Sequence, residues 1–146
     1  MNITFPENTP EIIDSIRTAI GRPVDFYIVA SSIACPVCDL DPITNTSMDS
    51  FCIVCSGIYW IPIYDIISIS GHITWGNVDQ LNWVTGGQLF DGDCRVQIKH
   101  TPENVTVVED AIKVIVDGKT MKIKNKILRG VKELNRILID LIEEEK

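Results

Sequence analysis

The amino-acid sequence predicts a mainly β protein that forms a single domain, residues 1–146. Hydrophobic residues make up 45% of the chain and the mean hydropathy is +0.15, values typical of a folded protein rather than a disordered one. Most Ile and Val residues occur in short runs that Gly, Pro, Asn or Asp interrupt. Because β-branched side chains fit a pleated sheet better than a helix, these runs indicate strands.

A short helix is predicted over residues 9–21, before the first strand. Thr9 can cap its N-terminus, Pro10 suits the first helical position and Gly21 can end it. The apolar residues of this segment form one stripe at helical spacing: Ile12, Ile13, Ile16, Ala19 and Ile20.

Short strands are predicted after this helix, first over residues 24–31. Six later segments are rich in β-branched or aromatic residues and bounded by turn residues: "GIYWIPIY", "DIISISGHITWG", "LNWVTGG", "CRVQIKH", "VTVVEDAIKVIVDG" and "KTMKIKNKILRG". Residues 85–93 predict two turns around a short strand. The segment 131–143 fits either a helical stripe or a strand with alternate residues inward, and periodicity leaves both open.

Asp117-Gly118 predicts a two-residue hairpin between two of these strands. In the second arm of the hairpin, Met121, Ile123 and Ile127 are predicted to share one face. The opposite, solvated face is predicted to carry three basic residues: Lys122, Lys124 and Lys126.

Four of the five cysteines form two Cys-x-x-Cys pairs, thirteen residues apart: Cys35, Cys38, Cys52 and Cys55. Two such tight turns can bring four sulfurs to one tetrahedral metal ion. The residues between the pairs are nearly all turn formers, so a short hairpin can bring the pairs face to face. The sequence therefore predicts a structural Zn²⁺ site in an inserted zinc-knuckle loop, residues 34–57. Iron would use the same ligands, and two disulfides are the remaining alternative.

We expect this site to be structural and the protein to have no catalytic activity. Four cysteines complete the coordination of zinc and leave no position for water or substrate. No P-loop, Gly-x-Ser-x-Gly or His-Glu-x-x-His motif occurs, and His72 and His100 have no partner at ligand spacing. Cys94 is predicted to be a small buried residue. Core or interface positions are predicted for four aromatic residues: Tyr59, Trp60, Trp75 and Trp83.

The net charge of −7 is unevenly distributed along the chain. Eight acidic residues and no Lys or Arg occur between Pro23 and Cys94, whereas eleven basic and nine acidic residues follow from Arg95 onward. A nucleic-acid-binding module normally carries a basic face, which the middle of this chain lacks. Neither a long apolar stretch nor the features of a secretory signal are present, so we expect no membrane association and no secretion.

Taken in order, these features resemble the small β-barrel neck proteins of tailed bacteriophages, the head-closure (stopper) and head–tail joining group. The resemblance is carried by the N-terminal helix, the "CPxC…CxxCSG" knuckle, the "HITW" strand, a Gly-Asp loop and the closing "VDGKTMKI…RGV…RILIDL". It covers most of the chain, and the knuckle corresponds to an insertion seen in some relatives. It implies a small β-barrel in which "RILIDLI" is the last strand, and it implies no catalytic residues.

The resemblance also implies a role in the virion, after assembly in the host cytoplasm. Such a protein forms a homo-oligomeric ring between the portal or adaptor and the tail, helps close the head and joins the tail. Packaged DNA passes through the lumen without specific binding, and an acidic lumen would repel its phosphates. Lys122, Lys124 and Lys126 are then expected to face an acidic surface of the adjacent copy or of another neck protein. The alternatives are a zinc-ribbon or OB-like nucleic-acid or transcription-associated module, and an enzyme with a structural zinc.

Overall fold

The computed structural model describes residues 4–76, 93–131 and 133–144, together with the backbone of residues 83–84 and 87–88. Most of the predicted turns at 85–93, and the side chain of Trp83, lie outside this part. The elements in chain order are α1 (Thr9–Ile20), β1 (Arg22–Ala34), β2 (Leu40–Asp41), β3 (Thr46–Ser47), β4 (Trp60–Trp75), β5 (Trp83–Val84), β6 (Gly87–Gln88), β7 (Cys94–Lys99), α2 (Pro102–Asp110), β8 (Ala111–Val116), β9 (Lys119–Val131) and β10 (Glu133–Glu143).

Six strands close into a barrel in the order β1-β4-β7-β10-β9-β8. The predicted mainly β fold, the small barrel and the short N-terminal helix are therefore confirmed. The segment from Glu133 to Glu143 is a strand, as the resemblance implied. The hairpin at Asp117-Gly118 is also confirmed, because both residues have positive φ angles, 49° and 81°, and Val116 pairs with Lys119.

The chain divides into two compact units. The first, here called the barrel unit, comprises Met1–Tyr27 and Ile66–Lys146; the second, the knuckle unit, comprises Ile28–Asp65. Strands β1 and β4 each contribute residues to both units. The predicted insertion, residues 34–57, falls inside the knuckle unit.

The core of the barrel unit consists of alternate residues on adjacent strands. On β7 and β10, Val96 pairs with Ile139 and Ile98 pairs with Ile137, and all four are buried. Cys94 is fully buried, which confirms the predicted role for this cysteine. Other strands and α2 complete this core with Val24, Phe26, Ile73, Val107, Val108, Val114, Val116, Met121 and Leu141.

The lysines of β9 do not share one face of the strand, contrary to the prediction. Lys122 pairs with Ile142 and Lys126 pairs with Ile139, and the register between β9 and β10 shifts at Asp140/Leu141. Residues that pair directly point to the same side of a sheet, and positions 139 and 142 of β10 point to opposite sides. The irregularity therefore reverses the alternation, so that Lys122 and Lys126 lie on opposite faces.

Helix α2 replaces part of a predicted strand. Its β-branched residues suggested a strand from Val105 onward, but the helix begins at Pro102. Thr101 Oγ1 accepts a hydrogen bond from the Asn104 amide at 3.1 Å, and proline at the first helical position needs no amide partner. These start signals outweigh the β propensity of the residues that follow.

Helix α1 has the predicted length but not the predicted N-cap. Asn8 precedes the helix as its N-cap, whereas the Thr9 hydroxyl donates to the Pro6 carbonyl oxygen at 2.7 Å. Within the helix, Arg17 is the only buried residue. Ile12, Ile16 and Ile20, from the predicted apolar stripe, are 46%, 54% and 51% exposed. Neither α1 nor α2 is long and apolar enough to cross a membrane, and the rest of the described chain contains no such helix.

Candidate metal centre

The knuckle unit brings the two cysteine pairs together through a series of tight turns. Between the pairs, β2 and β3 form a small hairpin in which Leu40 pairs with Ser47. The Asp41 carboxylate accepts hydrogen bonds from the Ile43 amide and the Thr44 hydroxyl, both at 2.9 Å. Asp, Thr and Asn are turn formers because their short side chains bond to nearby backbone groups, and this explains the predicted hairpin.

The second cysteine pair is held by a turn that needs residues with positive φ. Ser56 and Gly57 have φ angles of 51° and 84°. A Cβ atom at Gly57 would lie 2.9 Å from the Ser50 carbonyl oxygen, so glycine is required there for space as well as for conformation. The Cys35 amide donates to the Tyr59 carbonyl oxygen at 2.9 Å and links the two cysteine segments.

The four predicted ligands are close together. Their Sγ atoms all lie within 4.8 Å of one another. The Cys35 and Cys52 sulfurs are 3.8 Å apart, and the Cys38 and Cys55 sulfurs are 3.4 Å apart. A tetrahedral site with zinc–sulfur distances of about 2.3 Å places its sulfurs roughly 3.8 Å from each other. These separations far exceed the ~2.05 Å of a disulfide bond, and all four cysteines are free thiols.

The cysteines are also the core of the knuckle unit. Cys35, Cys52 and Cys55 are buried, and Cys38, Tyr59 and Ile61 pack against them while partly exposed. Every residue from 28 to 65 is described, and the only other buried residue among them is Ser47. This unit therefore has no apolar core beyond its thiols, which is the expected composition of a unit that a metal ion stabilises.

Their surroundings shift the pKa values of Cys38 and Cys55 in opposite directions. Burial raises the pKa of Cys55, but hydrogen bonds from the Tyr59 backbone and from neighbouring thiols lower it to about 6. A hydrogen bond with Ser47 lowers the pKa of Cys38, but burial and the other three thiols raise it to about 12. Without a cation, the Cys38 thiol stays protonated near neutral pH. A bound metal ion supplies the positive charge that four thiolates require.

The residues present fit a four-cysteine metal centre, and the arrangement leaves no protein position open for an additional ligand. Such a centre stabilises the turns that hold it and does not activate water or substrate. The four sulfur ligands suit zinc and iron alike, so the donor set does not identify the metal.

Two groups of residues were not predicted from the sequence. Phe51 and Ile53 flank the buried Cys52 and are 91% and 96% exposed. The sequence signal for these two residues is that they alternate with a predicted metal ligand. When a cysteine points to the metal, the side chains on either side of it point away from the metal. The second group is a basic cluster on the barrel unit, formed by Lys99, Arg129 and Arg136 on three different strands. Only the strand register brings these residues together, so no local pattern predicts them.

The aromatic residues singled out above occupy different environments. Trp60 is 39% exposed, and its Nε1 donates to Asn45 Oδ1 at 3.3 Å. Trp75 Nε1 donates to Asp117 Oδ2 at 2.9 Å. His72 lies on β4 opposite Gln97 and His100 follows β7, and neither belongs to a cluster of metal-binding residues in the described part of the chain.

The fold and the site together define a class: a small β-barrel protein with a four-cysteine knuckle. Comparison with models of protein families, with curated proteins and with solved structures finds no match to the chain.

Proposed function

We propose that this protein is a structural subunit of a tailed-bacteriophage neck, located in the virion. It forms a ring between the portal or adaptor and the tail, helps close the head and joins the tail. The motif order of the sequence supports this assignment, and a small closed barrel with an N-terminal helix is the fold that the resemblance implied. The proposal includes no enzymatic activity.

The observation that carries an assembly function is the amount of apolar surface left exposed. In the described part of the chain, 21 large hydrophobic residues are exposed, and twelve of them belong to the knuckle unit. Three more lie along α1, whose apolar stripe has no cover within the described residues. Large exposed apolar areas mark surfaces that partner proteins cover.

The same surface argues against a nucleic-acid module. The knuckle unit contains four acidic residues and no Lys or Arg: Asp39, Asp41, Asp49 and Asp65. A metal ion bound by four thiolates adds a formal charge of about −2 if the ion is divalent. Phosphate binding requires the opposite sign.

The test of this proposal is the mass of the native, full-length protein. A ring requires several identical copies in one particle, with a closed annular outline in electron microscopy. A monomer at every concentration, with or without portal and tail proteins, would refute the proposal.

We further propose that the ion in the four-cysteine site is zinc. Elemental analysis of protein purified under reducing conditions is expected to give one equivalent of zinc per chain. Iron in place of zinc would contradict the assignment of the metal but would support a four-cysteine metal site. Less than about half an equivalent of any metal would contradict the metal site itself.

A further inference from the structure

A groove on the barrel unit is lined on one side by helix α1 and on the other by strands of the barrel. We call it the α1 groove, formed by Ile13, Ile16 and Ile20 together with His72, Gln97 and Arg136. Its volume is about 270 Å³. Ile16 and Ile20 are more than half exposed, so the helix presents an uncovered apolar wall to whatever enters.

The basic side chains at and beside the groove carry more positive charge than the described residues neutralise. Arg136 pairs with Lys99 on β7 and with Arg129 on β9, so three basic side chains stand next to one another on the same face. Like charges directly opposite each other destabilise a sheet. Among the residues that the structure describes, Arg129 and Arg136 form no ion pair.

Buried polar atoms at the groove are also without partners. The side chain of Arg17 is 6% exposed, and its Nη1 contacts Asp14 Oδ1 at 2.7 Å. The Nε atoms of Arg17 and Arg136 have no hydrogen-bond partner within the described chain. The side-chain Oδ1 and Nδ2 atoms of Asn135 also have none there. Asp14, which also contacts Lys99 at 2.9 Å, is the only acid that pairs with this cluster in the described residues. Asp14 therefore faces several basic side chains, and the cluster keeps an excess of positive charge.

The knuckle unit carries a surface with complementary properties. We call it the knuckle tip, formed by Asp49, Phe51 and Ile53. Its two apolar side chains are more than nine-tenths exposed, and all charged side chains of the knuckle unit are acidic. The tip therefore combines apolar bulk with negative charge, while the α1 groove combines an apolar wall with positive charge.

We propose that the knuckle tip of one copy docks into the α1 groove of a second copy of this chain. Phe51 and Ile53 bury apolar surface against α1, and carboxylates of the knuckle unit neutralise the charge of Arg136. The two surfaces differ, so the contact is heterologous, and a heterologous contact forms a ring when the rotation between successive copies closes. This inference rests on the proposed function, for which it supplies the contact between copies.

The test uses the full-length, metal-loaded protein and measures its mass by sedimentation and native mass spectrometry over a concentration series. The tip variant carries Phe51→Ser and Ile53→Ser, and the groove variant carries Ile16→Glu. All three side chains are exposed, so folding is expected to be retained. Each variant alone is expected to assemble at least about tenfold more weakly than wild type, because each removes buried apolar contacts.

Mixing the two variants gives the sharpest outcome. The groove variant keeps an intact tip and the tip variant keeps an intact groove, so the mixture is expected to form a one-to-one heterodimer that grows no further. The control is Ile112→Glu, which changes an isoleucine of similar exposure, 48%, outside both surfaces and is expected to assemble like wild type.

The outcomes separate the inference from the function on which it rests. If wild type forms rings and neither variant assembles more weakly than wild type, the docking contact is overturned and the ring remains. A mixture of the two variants that forms no heterodimer would overturn the docking contact in the same way. A wild-type protein that stays monomeric would overturn both. Weaker assembly in each variant with a heterodimer in the mixture supports the contact, and a slower association at high salt supports its electrostatic part.

Discussion

Replacement of Cys38 by serine is expected to unfold the knuckle unit and to leave the barrel unit folded. The knuckle unit buries three cysteines and Ser47 and no other residue, so we expect a bound metal ion to stabilise it in place of an apolar core. Structural zinc contributes roughly 10–16 kcal/mol in small metal-dependent domains. Loss of one of four thiolates removes on the order of 3 kcal/mol, which weakens metal affinity roughly a hundredfold.

The assay is hydrogen exchange after dialysis against a chelator that the wild-type site withstands. Protection is expected to disappear at the amides of Cys35, Ser47 and Ile58, which donate to backbone carbonyls within the knuckle unit. The amides of β7 and β10 are expected to stay protected, because these strands belong to the apolar core of the barrel.

The matched control is the same substitution at Cys94. This thiol is fully buried in the barrel, so Cys94→Ser is expected to lower barrel stability by about 1–3 kcal/mol and to leave the metal content unchanged. Loss of protection in both units at once for Cys38→Ser would show that the knuckle is not a separate metal-dependent unit. Protection that persists in a metal-free knuckle would refute the reasoning as well.

Three further predictions concern the barrel unit. Asp140→Asn should lower the free energy of unfolding by about 3 kcal/mol, because it removes the carboxylate charge that Arg95 contacts at 2.5 and 2.9 Å in a largely buried pair. A loss below about 1 kcal/mol in denaturant unfolding would contradict this. Gly130→Ala should lower the melting temperature more than Gly118→Ala does, because its Cβ would overlap the Glu133 backbone oxygen, whereas Gly118, at φ 81°, has open space; equal losses would count against it. Burial raises the pKa of Asp14, but its two basic partners lower it below the usual value. The contribution of Asp14 to stability is therefore complete above about pH 4 and is lost as pH falls through the lowered pKa. The free energies of unfolding of Asp14→Asn and wild type should converge in acid. A difference between them that grows in acid would refute this.

The features that sequence reasoning predicted correctly depend on local chemistry. The cysteine spacing fixes two tight turns with convergent sulfurs, and Asp117-Gly118 fixes a hairpin because few other residues adopt its backbone angles. The strand assignment follows from β-branched runs, which indicate a mainly β protein, whereas the barrel was implied by the resemblance. The identity of the metal does not follow, because zinc and iron accept the same thiolates.

The features that were missed depend on contacts between distant parts of the chain. Arg17 is buried in place of the apolar stripe, because it pairs with Asp14 and also reaches the Asn135 carbonyl oxygen at 3.5 Å, 118 residues away. The faces of Lys122 and Lys126 were assigned from regular alternation, which an irregularity in the pairing with β10 reverses. Whether these lysines contact a neighbouring copy stays a prediction. In the described chain, Lys122 contacts Glu144 at 2.9 Å and Lys126 contacts Glu109 at 3.5 Å.

The strand order of the barrel has a consequence for biosynthesis. Strand β10 lies between β7 and β9, so the strands made before it form an open sheet with unpaired edges at β7 and β9. Unpaired edges are the sites where chains join incorrectly. Residues 133–143 must therefore leave the ribosome before this protein is protected from aggregation. The four cysteines, at positions 35–55, are synthesised before most of the barrel unit and can bind a metal ion while translation continues.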